Sequence, residues 1–435
     1  IYLHVPFCTS RCIYCDFYST TQSATVRHEY VNAACAELAN RTSYLADRHI
    51  QSIYFGGGTP SQLQIKEIAI LLDSINKHYD IDTNAEITLE ANPDDVTPDF
   101  AHNLRNLGFN RVSLGVQSFN DRILKMLNRR HDAATAQDAV HTLQQAGLDN
   151  ISIDLIYGLP TQLLQDFSSD LQKAFSLPIK HLSTYALSIE QGTLLQRKIQ
   201  SNELAETDED TFIAEYEIMM QQAHAHGFEH YEISNFALPG FESRHNSGYW
   251  NNTPYLGIGP GAHSFNGTDE RQYNEPNLGK YISAAGLPPH TIEHLTLSDQ
   301  FDEQVFTSLR TRRGLSLKNL EKRFGEAWLE DLKRAAQKHI SSGNLTFNNN
   351  TLCLHIDSFM RRALSSIHNN VSSLSAVSNF MSIACDFFYR ICYSKDIANL
   401  RNRNNLCLGI YFRLYFLLRN FGSGYKIRVC HCLAA

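Results

Sequence analysis

Three cysteines fall within one short stretch, Cys8-Thr9-Ser10-Arg11-Cys12-Ile13-Tyr14-Cys15, at C-x3-C-x2-C spacing. The apolar, β-prone run Ile1-Tyr2-Leu3-His4-Val5 leads into them, and Pro6 closes that run. Three thiolates on one loop can converge on a single metal centre. Zinc sites usually take four protein ligands in two close pairs. A 4Fe–4S cube takes one cysteine per iron, so Cys8, Cys12 and Cys15 would leave one iron open to a ligand that is not protein. Two plainer readings stand beside this one: buried small hydrophobes, or part of a disulfide framework. Disulfides fit poorly in a chain of 435 residues without a visible secretion signal.

Length allows two or three domains with substantial cores. The formal net charge of −7 does not suggest a nucleic-acid binder. The longest apolar candidate, Leu406 to Leu418, is short and carries Arg413, so no transmembrane segment is expected. An open-edged cluster fits a reducing compartment, and a cytoplasmic location is expected. The chain opens on Ile1 rather than methionine, so a few preceding residues are allowed for.

Six strand-like runs recur: Ile1–Val5, Ser52–Phe55, Glu86–Leu89, Arg111–Val116, Ile151–Ile156 and His181–Leu187. Helical periodicity fills the gaps, as in Tyr30–Leu45, Ile65–His78, Ala133–Ala146 and Asp208–His226. Gly108, Gly147 and Gly227 stand where helix C-caps belong. Alternating strands and helices predict a parallel sheet, and six units make an open, partial (βα)6 barrel of the α/β class. Polar and glycine-rich motifs stand at the C-terminal strand ends, the rim where parallel barrels collect their sites.

His4-Val5-Pro6-Phe7-Cys8 with its C-x3-C-x2-C run resembles the radical S-adenosylmethionine (SAM) superfamily. The resemblance narrows to the branch holding oxygen-independent coproporphyrinogen III oxidase and the heme chaperones. Four other stretches match it in order: Tyr54-Phe55-Gly56-Gly57-Gly58-Thr59-Pro60-Ser61, Leu89-Glu90-Ala91-Asn92-Pro93, Ser113-Leu114-Gly115-Val116-Gln117-Ser118-Phe119 and Ile153-Asp154-Leu155-Ile156-Tyr157-Gly158-Leu159-Pro160. The match runs from residue 1 to about 355. It implies a 4Fe–4S cluster on the three cysteines, with SAM chelating the open iron and the protein positioning it and excluding water.

The same resemblance assigns a SAM pocket. Gly57, Gly58 and Thr59 would meet the methionine moiety; alone, the glycines read as a tight turn. Glu90 would accept from the ribose hydroxyls, where a solvated rim charge is the plainer reading. Gln117 and Asp154 are polar strand-end residues at SAM-contacting positions. Arg129 could pair with the SAM carboxylate, although a single Arg is more often a solvated charge. Tyr2 and Ala186 match further positions but could be plain core.

Two departures point away from the oxidase. That enzyme carries a fourth cysteine two residues after the third; here Phe17 stands there, and a phenyl ring neither ligates nor transfers a hydrogen atom. Arg244-His245-Asn246-Ser247-Gly248-Tyr249-Trp250 resembles the H-N-x-x-Y-W signature of the heme chaperones. Imidazole is a standard axial heme ligand, so His245 is the heme candidate and His263 a weaker one. His245 could equally be a structural histidine in a loop. The expected function is heme binding and transfer to an acceptor protein, for which a respiratory protein is one class. The alternative is the oxidative decarboxylation of porphyrinogen propionates. A homodimer is allowed for.

Four segments follow: a barrel over 1–230, an aromatic, glycine-rich extension over 231–297, a small α+β, winged-helix-like domain over 298–356, and an atypical tail over 357–435. Helices are expected over Phe301–Leu309, Leu317–Phe324 and Glu326–Ser341, then a hairpin with an Asn-rich turn. Winged-helix modules often bind DNA, but no aromatic-interleaved basic helix is present, so a cover or acceptor-docking role is expected. Residues 358–435 hold ten of the 38 Lys+Arg and two of the 45 Asp+Glu, without sustained periodicity. A non-native extension is the plain reading of that tail.

Overall fold

The structure is a computed structural model that describes residues 1–355; the tail singled out above lies outside the described residues. Six strands carry the site: β1 (Tyr2–Val5), β2 (His49–Gly57), β3 (Asp80–Ala91), β4 (Arg111–Gln117), β5 (Ile151–Tyr157) and β6 (His181–Ala186). Each pairs in parallel with the next. Parallel neighbours need crossovers, supplied by α1 (Ala24–Asn40), α2 (Ile65–His78), α3 (Pro98–Asn106), α4 (Asp121–Met126) with α5 (Ala133–Gln145), and α6 (Leu164–Ser176). Beyond β6 come α7 (Leu194–Gln200), α8 (Glu209–Ala225), β7 (Glu229–Glu232) and β8 (Asn235–Ala237). β8 adds antiparallel to β6, whereas the short β9 (Gly257–Ile258) adds parallel to β1. β7 and β9 end the nine-stranded sheet on opposite sides, so the barrel stays open.

Helix α1 starts and ends about five residues earlier than its periodicity predicts. Its first turns, Ala24 to Glu29, are mostly exposed, with Val26 the apolar side chain they press on the core, so the fully buried repeat begins only at Tyr30; Leu45 returns to the core after the helix has ended. Helix α1 also buries Glu37. A buried charge must be paired, and Glu37 meets Arg41 at 3.3 Å, Asn274 at 2.8 Å, Tyr281 at 2.7 Å and the Gly259 amide at 2.9 Å. That knot fastens the 231–297 segment to the barrel.

The segment holds more structure than its composition suggests. The H-N-x-x-Y-W signature is a helix, α9 (Arg244–Trp250), with the Ser243 hydroxyl accepting from the Asn246 amide. Beyond it β10 (His263–Phe265), β11 (Glu270–Asn274) and β12 (His290–His294) form an antiparallel sheet, with α10 (Leu278–Ser283) between the last two. The small domain follows: α11 (Leu297–Leu309), β13 (Leu315–Ser316), α12 (Leu317–Phe324), α13 (Glu326–Ser341), β14 (Leu345–Asn348) and β15 (Thr351–Leu354). Asn349 and Asn350 both take positive φ, as a two-residue hairpin turn requires. Phe301, Leu320, Leu332 and Leu352 belong to the same apolar core as the barrel.

Candidate functional site

The cysteine loop leaves β1 at its C-terminal end and is pinned from several sides. Cys8 N–H donates to Thr20 O at 3.0 Å and Ile13 N–H to Leu127 O at 3.2 Å. Leu195 N–H donates back to Ile13 O at 2.9 Å, and Asn128 holds Arg11 O at 2.8 Å. Cys8, Cys12 and Cys15 are all free thiols, partly buried. Burial pushes Cys15 up to about 12 and raises Cys8 as well, so ionised thiols here call for metal cations beside them. Among the described residues no group of three His, Cys, Asp or Glu closes around a point suited to a single ion. A cube gives each cysteine its own iron and does not ask them to. The donor set therefore fits a cluster better than zinc. Phe17 lies partly buried in the same loop.

The ends of β2, β3 and β4 face that loop. The Cys8 thiol lies 3.3 Å from the Thr59 hydroxyl. Arg129 reaches Cys12 Sγ at 3.4 Å and Asn92 Oδ1 at 2.8 Å, and also donates to Gly115 O. One guanidinium thus joins the cluster loop to the ends of β3 and β4. Its Nε is buried without a hydrogen-bond partner, a donor left over for an anionic ligand. Gln117 takes φ 69° at the end of β4; a non-glycine residue held there is strained, and such strain gathers at sites.

Glycine is required on β2. Gly57 has φ 111°, and a Cβ there would stand 2.6 Å from His4 Nδ1; at Gly58 it would stand 2.9 Å from two backbone oxygens. The bare backbone lets Gly57 N–H donate to Glu90 Oε2 at 3.1 Å while Tyr54 donates to Oε1 at 2.8 Å. Burial nevertheless raises Glu90 to about 7, and raises Asp154, hydrogen-bonded to Ser113 at 3.2 Å, to about 6. Two half-buried carboxyls on β3 and β5 keep further lone pairs for donors, as ribose hydroxyls would be. Tyr2 stacks near Tyr54 with centroids 6.1 Å apart, and Ala186 ends β6 beside Tyr157. Tyr54 and Asn92 escaped sequence reasoning, although both lie inside matched motifs at alternate positions on the inward faces.

His245 faces the end of the barrel opposite the cysteines, with its ring stacked on Tyr54 at 5.0 Å. Its ring is 5% exposed and has both nitrogens engaged, Nδ1 with Ser52 Oγ at 2.8 Å and Nε2 with Tyr249 Oη at 3.0 Å. Burial holds it well below the usual imidazole range. It borders a cavity of about 1520 Å³ also lined by Asn84, Asn110, Asn150, Tyr255 and Arg313. Asn110 and Asn150 immediately precede β4 and β5, so this cavity opens at the N-terminal end of the barrel, opposite the cysteines. His263 sits on β10, its ring stacked on Tyr273.

The profile of the Radical SAM superfamily matches residues 2–174, and that of the HemN C-terminal domain matches residues 295–355. A heme chaperone HemW of Mycobacterium tuberculosis is 38% identical over 340 residues, covering 76% of this chain and 87% of that protein. One from Bacillus subtilis is 34% identical, covering 80% and 92%. The solved structure of coproporphyrinogen III oxidase (HemN) from Escherichia coli, described as a radical SAM enzyme, superposes with a TM-score of 0.72 at 23% identity. It covers 90% of this chain and 88% of its own, a likeness of fold. Among the described residues no helix is long and apolar enough to cross a membrane.

Proposed function

This chain belongs to the HemW heme-chaperone family within the radical SAM superfamily, and on that footing we propose that it holds heme for delivery to an acceptor protein. The similarity to the chaperones over most of their length carries the reading. Phe17, at the oxidase's fourth-cysteine position, argues against porphyrinogen decarboxylation.

Cys8, Cys12 and Cys15 would hold a 4Fe–4S cluster whose open iron takes SAM; when bound, that pair supplies one-electron reductive chemistry. Arg129 would hold the SAM carboxylate, Gly57, Gly58 and Thr59 the methionine backbone, and Glu90 the ribose, with Tyr2, Gln117, Asp154 and Ala186 completing the wall. Heme would occupy the cavity at the other end of the barrel. Its volume is ample, Tyr249 and Tyr255 offer ring faces, and Arg313, with Asn251 as its hydrogen-bond partner at 3.2 Å, has donors left for a propionate. His245 would be the axial ligand. With Nδ1–H donated to Ser52, Nε2 carries the lone pair that iron takes. A reducing cytoplasm suits the cluster; a respiratory acceptor remains one class.

Anaerobically assembled protein titrated with heme should give a shifted Soret band that His245→Ala abolishes. Product formed from coproporphyrinogen III with SAM and a reductant would refute the chaperone reading.

A further inference from the structure

The two ends of the barrel are joined by one aromatic column. The Tyr54 ring stacks on His245 at 5.0 Å and 23° and lies near Tyr2 at 6.1 Å and 28°; Tyr2 is in turn 6.4 Å from His245, so the three rings pack mutually between the cavity and the SAM pocket. The same Tyr54 hydroxyl holds Glu90 at 2.8 Å. There is no slack around it: a Cβ on Gly56 would meet Tyr54 Cε1 at 2.8 Å and Glu90 Oε1 at 3.0 Å. Close-packed interiors transmit such displacements rather than absorbing them.

We propose that His245 and Tyr54 act as a relay through which heme in the N-terminal cavity and SAM at the cluster end weaken each other's binding. The proposal rests on the heme reading above. An iron atom that takes Nε2 must displace the Tyr249 hydroxyl at 3.0 Å, and the buried imidazole, held at Nδ1 by Ser52, turns about that bond to bring Nε2 to the cavity. A turned imidazole leaves the face of Tyr54, and Tyr54 carries Glu90 with it. In the other direction, a ribose held by Glu90 fixes Tyr54 and keeps His245 stacked and sealed. Each ligand thus favours a different arrangement of the same rings, and linkage makes the penalty mutual. SAM then serves as the signal for heme release whether or not it is cleaved.

The test uses the full chain with its cluster assembled without oxygen. SAM affinity is measured by equilibrium dialysis with and without saturating heme, and heme affinity by Soret titration with and without saturating SAM. Each ligand is expected to weaken the other by the same factor, about fivefold or more. Tyr54→Phe keeps the ring but releases Glu90 and should bring that factor to within about twofold. If this variant does not fold, Ser52→Ala decides instead: it unpins Nδ1 and should lower the factor likewise. Mutual factors near one in the wild type, with both ligands binding, overturn the relay and leave the heme reading intact. An unchanged factor in the deciding variant also overturns it. No Soret shift at all overturns the heme reading and the relay together.

Discussion

Arg129 is the residue on which most of the cluster end converges, since it touches Cys12, Asn92 and Gly115 at once. Charge-assisted hydrogen bonds are worth about 1.5–3 kcal/mol each, so Arg129→Met should weaken SAM binding by roughly one to two powers of ten. Iron content should stay near the wild-type value, because the three thiols remain. Equal SAM affinity in wild type and variant would remove Arg129 from the pocket. Glu90 makes a prediction about pH. Its carboxyl sits at about 7 in the fold against 4.5 unfolded, so the native state binds the proton more tightly. The associated stability is fully present below about 4.5 and is lost as pH rises through 7, about 3 kcal/mol in all. Glu90→Gln removes that dependence. Urea midpoints should therefore favour the variant increasingly from pH 5 to 8; a constant offset would contradict it. These polar positions were legible in the sequence because motif residues mark strand ends. What escaped was partnership: nothing in the order of residues says that Tyr54 serves both Glu90 and His245.

At the level of elements, boundaries were legible wherever one face is buried throughout. Helices α2, α12 and α13 lie where their periodicity predicts. Helix α1 departs from its periodicity because its opening turns set a single apolar side chain, Val26, on the core. The sheet β10–β11–β12 went unseen because β12 is exposed along its whole length, so no alternation marks it. Glycine predicts more sharply than periodicity here. Gly259 has φ 110°, and a Cβ there would lie 2.5 Å from His4 O, whereas Gly108 at φ 91° has nothing within 4 Å. Gly108→Ala should cost only the backbone penalty of about 1 kcal/mol. Gly259→Ala adds a clash that must part β9 from β1, for roughly 2–4 kcal/mol in total. Urea unfolding of the two variants checks the ranking, and equal midpoints would show that the loop after β9 yields freely.

For the whole molecule, the succession of strand–helix units foretold the barrel, and three helices followed by an Asn-rich hairpin foretold the small domain. It could not foretell how the small domain is seated, because the contacts span distant parts of the chain. Arg310, at the end of α11, donates to the fully buried Glu232 at 2.9 Å and lies 4.4 Å over the Trp250 ring. Trp250 closes the helix that carries His245, so one side chain ties the small domain to the proposed heme end. Removing one partner of a buried ion pair strands the other charge and typically costs 3–5 kcal/mol. Glu232 keeps the Ser234 amide at 2.9 Å, which places Arg310→Ala nearer about 3 kcal/mol. Arg310→Lys should recover less than half, since an ammonium lacks the planar face that lies on Trp250. Because the barrel and the small domain share one apolar core, each variant should still unfold in a single transition. Both should also weaken heme binding, through α9, more than SAM binding. Two separate transitions in Arg310→Ala would mean that the domain folds alone and merely rests on the barrel, and the heme effect should then vanish.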